Sequence, residues 1–118
     1  MARTVLIVDD HPSFRSSAQA ILESEGFDVV GEAADGASAL AAAERLNPEI
    51  VLLDVQLPDM SGFEVCSSLA AANGSGPAVI LVSSRDAADY GGEIAACGAC
   101  GFVPKAELSG AAVRSLLG

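Results

Sequence analysis

The sequence predicts an α/β three-layer sandwich, with a five-stranded parallel sheet of order 2-1-3-4-5 covered by five helices. Two observations lead there. Five short runs rich in Val, Ile and Leu recur along the chain, at Thr4–Val8, Phe27–Gly31, Ile50–Leu53, Ala78–Val82 and Gly101–Val103, and each is followed by a segment of helical character. Runs one, three and four are nearly continuous in hydrophobicity, as strands buried on both faces of a parallel sheet must be. Such alternation closes through right-handed crossovers. With 118 residues, the chain has room for one domain, 1–118, and not for two.

The helices follow from spacing and punctuation. Pro12 to Glu25 carries Phe14, Ala18, Ile21 and Leu22 on one face, and Gly26 closes it. Asp35 or Gly36 caps a second helix that runs through Leu40 and Ala43 to Leu46, where Asn47-Pro48 ends it. Ser61 caps a third, with Phe63, Cys66, Leu69 and Ala70 inward and Asn73-Gly74 after it. Asn73 to Pro77 reads as a turn between helix and strand, not as a domain linker. A fourth helix is expected from Asp86 to Ala96, weakened by Gly91-Gly92, since each internal glycine costs about 1 kcal/mol relative to alanine. The last helix is expected from Glu107 to about Leu117, with Leu108, Ala112 and Leu116 facing the core.

Composition narrows the function. Six basic against sixteen acidic residues give a formal charge of -10, which repels a phosphate backbone. No direct binding of nucleic acid by this chain is expected; DNA would be reached only through an output domain. Aromatics are scarce, which argues against base-stacking platforms. No apolar run is long enough to span a bilayer, and the opening Met-Ala-Arg-Thr lacks the segment of a signal peptide, so a cytoplasmic protein without membrane contact is expected. Three cysteines, Cys66, Cys97 and Cys100, do not make a disulfide framework.

The carboxyl ends of the strands carry the chemistry. In a 2-1-3-4-5 sheet the switch point lies between strands one and three, and ligands bind there. Strand one ends in Asp9-Asp10 and strand three in Asp54. Three carboxylates this close raise one another's pKa values unless a cation joins them. Hard oxygen ligands suit Mg²⁺, which favours one or two carboxylates plus a phosphate. Strands four and five add the Ser83 hydroxyl and the ammonium of Lys105, the only lysine in the chain. A carboxylate nucleophile, a divalent metal, a hydroxyl and a cation are the parts needed to form and hold an aspartyl phosphate. Any one such residue after a strand is commonly a solvated turn residue. All five at the right strand ends favour function.

At these positions the chain resembles the response-regulator receiver family of bacterial two-component systems, whose fold is flavodoxin-like. The matching stretches are Val5-Leu-Ile-Val-Asp-Asp10, Leu53-Asp-Val-Gln-Leu-Pro-Asp-Met-Ser-Gly62, Val82-Ser83-Ser84 and Gly98-Ala-Cys-Gly-Phe-Val-Pro-Lys105. They span essentially the whole chain, and Asp9-Asp10-His11-Pro12 is most like the branch usually joined to a helix-turn-helix output domain. The resemblance implies a phosphoacceptor switch rather than an enzyme, catalysing only its own phosphorylation and slow dephosphorylation. It implies that Asp54 takes a phosphoryl group from a sensor histidine kinase. It further implies that Asp10 binds Mg²⁺ directly and Asp9 mainly through water, with Asp54 and the Gln56 backbone carbonyl completing the set. Lys105 and Ser83 would hold the phosphoryl oxygens. Ser83 and Phe102 would form the switch that changes the surface of helix four and strand five. A homodimer formed on phosphorylation is a further expectation. Ser83 stands where threonine is frequent, and Gly91-Gly92 interrupts a helix that usually helps to form the output face.

Three other functions fit less well. A haloacid-dehalogenase-like phosphatase would carry its two acids two residues apart after strand one. An FMN carrier needs a phosphate-cradling loop where Asp9-Asp10 stand, and these would repel the phosphate. A pseudo-receiver acting only as an interaction module would not need every pocket residue. Cys97-Gly-Ala-Cys100 has redox or zinc spacing, but the pair closes a helix rather than opening one, and no second pair completes a zinc site. Both cysteines, like Cys66, are read as packing. His11 reads as a loop residue beside the pocket, and Arg85 as lying near its rim. Pro58 and Gly62 read as loop geometry before the third helix.

Overall fold

A computed structural model describes residues 3–71 and 76–117. Its sheet has the order β2-β1-β3-β4-β5, with all pairings parallel. The strands are β1 (Thr4–Val8), β2 (Asp28–Ala33), β3 (Ile50–Asp54), β4 (Ala78–Ser83) and β5 (Gly101–Pro104). The helices are α1 (Pro12–Ser24), α2 (Gly36–Leu46), α3 (Gly62–Ala71), α4 (Glu93–Ala96) and α5 (Gly110–Leu117). Among the described residues, no helix is long and apolar enough to cross a membrane.

The pleat sorts the apolar runs into two cores, because successive side chains of a strand point to opposite faces. Leu6, Val8, Val51, Leu53, Val79 and Leu81 pack with Ala39, Ala42, Val65, Cys66 and Leu69 of α2 and α3. Val5, Ile7, Ile50, Leu52, Ile80, Val82 and Val103 pack on the other face with Ala18 and Leu22 of α1 and Val113 of α5. Both faces are covered, which is why the central runs need no polar alternation.

Most boundaries fall where the caps put them. Asp35 accepts the Ser38 amide at 2.8 Å, Ser61 Oγ accepts the Glu64 amide at 3.2 Å, and Asn47 ends α2 at a φ of 49°. Three expected elements are corrected. The second strand starts at Asp28 and reaches Ala33, because Phe27 closes the turn after α1: its N–H donates to the Leu22 carbonyl at 3.0 Å and the residue is buried. The last helix starts at Gly110 rather than Glu107. Residues Lys105–Glu107 form a separate 3₁₀ turn, Leu108 is buried in extended backbone, and Ser109 Oγ caps α5 by accepting the Ala112 amide at 3.0 Å. The turn expected at Asn73-Gly74 lies outside the described residues.

The third correction concerns the fourth helix. Instead of one helix from Asp86 to Ala96, a 3₁₀ turn (Ala87–Tyr90) is followed by the single turn of α4. Gly91 separates them at φ 59°, ψ -130°, a conformation open essentially to glycine. An added Cβ there would meet nothing within 4 Å, so only the backbone opposes a side chain. Gly91→Ala is therefore expected to cost about 1–3 kcal/mol in urea unfolding. A cost near zero would mean that the break is not held by this dihedral.

Candidate functional site

Parallel pairing delivers the acidic residues to one place. β1 lies beside β3 in register Val8↔Leu53, so the residues that follow Val8 stand next to Asp54. Asp54 pairs in turn with Val82, and Ser83 with Pro104, which carries Lys105 to the same edge. Asp9, Asp10, His11 and Asp54 each bring a ligand atom within 4.8 Å of the others. Beside them opens a cavity of about 200 Å³ whose lining includes Asp10, His11, Asp54, Gln56, Ser83 and Lys105.

The buried charges are unevenly matched. Asp9 is fully buried and Asp54 is 4% exposed, whereas Asp10 faces solvent. Lys105 Nζ stands 2.6 Å from Asp9 Oδ2 and 3.4 Å from Asp54 Oδ2, so one ammonium serves two buried carboxylates. It also lies 4.6 Å from the centre of the Phe14 ring. Asp9 Oδ1 accepts the His11 amide at 2.8 Å, and His11 Nδ1 lies 3.0 Å from Asp9 Oδ1 and 3.1 Å from Asp10 Oδ1. Arg15 donates to the Asp9 carbonyl at 2.6 Å and pairs with Glu32 at 2.8 Å, tying the end of β1 to β2.

Asp54 holds its proton more tightly than an ordinary carboxyl. Burial raises its pKa above the ordinary 3.8 and the Asp9 charge raises it further, against the downward pull of Lys105 and of the Gln56 amide, which donates to Oδ1 at 3.2 Å. Its anion is short of positive charge, which an oxygen-seeking cation at this cluster would supply. The donor set of carboxylates around a polar cavity fits Mg²⁺. Gln56 is fixed by its bridge to Ser61, and the Gly62 amide donates to the Val55 carbonyl at 2.6 Å. The loop between β3 and α3 thus holds Asp54 from below.

Ser83 is buried at the end of β4, and its oxygen is already engaged. Ser83 Oγ accepts the Arg85 amide at 3.1 Å and lies 2.6 Å from Tyr90 Oη. Arg85 thus contributes its backbone to the site, and its side chain is exposed. The Tyr90 ring is 5.8 Å from that of Phe102 and 5.5 Å from that of Phe63. The sequence reading missed Tyr90. The only available signal was that it is the single tyrosine, and the broken helix around Gly91 hid its spacing from Ser83.

Cys66 and Cys97 belong to the core against which Phe63, Tyr90 and Phe102 pack. Cys66 is buried, donates to the Cys97 carbonyl at 3.3 Å, and has its thiol pKa pushed up by burial. Cys97 is buried at the end of α4, but Cys100 is exposed, so the packing role expected of both holds for Cys97 alone.

Comparison with known proteins points one way. Residues 5–113 match the family described as "Response regulator receiver domain". The DNA-binding transcriptional activator EvgA of Escherichia coli is 35% identical over 102 residues, covering 86% of this chain and 50% of that protein. The DNA-binding response regulator MtrA of Mycolicibacterium smegmatis is 43% identical over 91 residues, covering 75% of this chain and 38% of that protein. The chain thus spans half or less of these relatives' length. Among solved structures, the receiver domain of the response regulator NarL from Mycobacterium tuberculosis superposes with a TM-score of 0.86 at 32% identity, covering 99% of this chain and 98% of that one. A chain of the CheX–CheY complex with beryllofluoride and magnesium from Borrelia burgdorferi gives 0.84 at 30% identity over 98% of this chain and 86% of that one.

Proposed function

The chain belongs to the response regulator receiver domain family, and from that premise we propose that Asp54 is the phosphoacceptor of a Mg²⁺-dependent signalling switch. A sensor histidine kinase supplies the phosphoryl group. An Asp54 oxygen attacks its phosphorus as the bond to the kinase imidazole breaks. The observation that carries the reading is the convergence of Asp9, Asp10 and Asp54 beside a cavity lined by Asp10 and Asp54, with Lys105 paired to both Asp9 and Asp54. Asp9, Asp10, Asp54 and the Gln56 backbone carbonyl would hold Mg²⁺, whose chemistry is to neutralise the charge of the transferring phosphoryl oxygens.

Lys105 and Ser83 serve the product. Lys105 keeps its ammonium between two carboxylates, within reach of an oxygen added at Asp54. Ser83 lines the same cavity and can donate its hydroxyl to another. Phosphorylation adds about -2 charge at neutral pH, and the switch pair Ser83 and Phe102 passes that change to the surface of α4 and β5. A chain of charge -10 reaches DNA only through an output domain of the kind implied by the names of its relatives, in the cytoplasm and as a homodimer when phosphorylated. Residues 1–118 act as one receiver domain.

Intact mass spectrometry tests the reading. With Mg²⁺ and a small acyl phosphate, the chain is expected to gain one phosphoryl group, stable to acid and labile to base. Excess EDTA should stop the gain. Equal labelling in EDTA would remove the metal from the site.

A further inference from the structure

We propose that Tyr90 is the positioning residue that holds Ser83 before phosphorylation, and the group from which an aspartyl phosphate withdraws it. The inference rests on the Asp54 reading above and deepens it. A serine hydroxyl has one proton and two acceptor sites. The Arg85 amide occupies one acceptor site of Ser83, and the 2.6 Å contact with Tyr90 Oη takes up a second direction. Ser83 is 2% exposed, so water does not readily replace either partner. With Ser83 as the donor to Tyr90, its one proton reaches a phosphoryl oxygen on Asp54 only by leaving Tyr90.

The position of Tyr90 makes that exchange consequential. It is the last residue of the 3₁₀ turn Ala87–Tyr90, directly before the dihedral break at Gly91. Its ring sits edge-on to Phe63 of α3 and tilted against Phe102 of β5. Its hydroxyl therefore touches the residue that meets the phosphoryl group, while its ring touches the aromatic of the output face. Losing the Ser83 bond leaves Tyr90 held by ring contacts alone, on a segment whose backbone is interrupted one residue later. Ser83 and Phe102 are thus coupled through Tyr90.

Tyr90 is the only tyrosine and the chain has no tryptophan, so its emission reports this residue alone. In wild-type protein with Mg²⁺, beryllofluoride should change the tyrosine emission saturably, and phosphorylation by an acyl phosphate should change it in step with the mass increase. In Ser83→Ala, the metal-free emission should already differ from wild type and should no longer respond to beryllofluoride. Tyr90→Phe keeps the ring and frees Ser83. Its affinity for beryllofluoride, measured by calorimetry, should rise about two- to tenfold, the range set by one net hydrogen bond. Unchanged tyrosine emission in a chain that has gained its phosphoryl mass would overturn this inference and leave Asp54 standing. So would an unchanged or weaker beryllofluoride affinity in Tyr90→Phe. A wild-type chain that gains no phosphoryl mass would overturn the Asp54 reading itself, and this one with it.

Discussion

Asp54→Asn is expected to abolish phosphoryl uptake and, at the same time, to make the metal-free protein more stable at neutral pH. The first effect is complete, because a carboxamide offers no anionic oxygen to attack phosphorus. Mass spectrometry with Mg²⁺ and an acyl phosphate should show no increment. Labelling that survives would place the acceptor elsewhere.

The second effect follows from the raised pKa of Asp54, caused first by burial and then by the Asp9 charge. Below the ordinary value of 3.8 the carboxyl is protonated whether the chain is folded or unfolded, and the group costs nothing. As pH rises from there to the folded value, the unfolded chain ionises while the folded one holds its proton, and stability falls. Above the folded value the full penalty persists. Asparagine carries no such penalty, and Lys105 keeps Asp9 at 2.6 Å as its partner. Thermal melts in EDTA should therefore give Asp54→Asn the higher Tm at pH 7, with a gap that closes towards acid pH. A variant less stable than wild type at pH 7 would show that the Lys105 pairing outweighs the burial of the charge.

Gly62→Ala is expected to damage both fold and site. An alanine Cβ would collide with the Asp54 carbonyl oxygen and lie 2.8 Å from Val55 Cα, and neither backbone atom can swing away. The Gly62 amide also donates to the Val55 carbonyl at 2.6 Å, so the loop cannot open without losing that bond. Overpacking of this kind costs about 3 kcal/mol. Tm should fall by roughly 10 °C or more. Any relaxation moves the backbone of the phosphoacceptor, so uptake should slow even at temperatures where the variant is fully folded. An alanine variant with wild-type Tm and wild-type uptake would remove Gly62 from this role.

The layered fold was legible because β1, β3 and β4 are nearly continuous in hydrophobicity, as strands of a sheet covered on both faces are. Asp35, Ser61 and Asn47-Pro48 marked helix ends because capping is a local contest between a side chain and nearby amides. The acidic cluster was legible for a related reason: in a parallel sheet the residues after each strand gather at one edge, whatever lies between. Strand order alone therefore places Asp9, Asp10, Asp54, Ser83 and Lys105 together.

Other features depended on contacts between residues distant in sequence or on dihedrals that composition does not encode. The amide of Phe27 bonds back to Leu22, so the strand begins one residue later than the apolar run implied. Gly91 adopts a conformation that splits the expected fourth helix, and Tyr90, one residue before the split, meets Ser83. Lys105 is shared between two acids because β5 ends beside β4 and the end of β1 lies across the edge. By itself the sequence determined the layers, the strand ends and the acids gathered there, since periodicity and caps act over a few residues. Only the tertiary structure decided which hydroxyl Ser83 meets and how one ammonium divides between Asp9 and Asp54, because those partners are chosen by packing across the sheet.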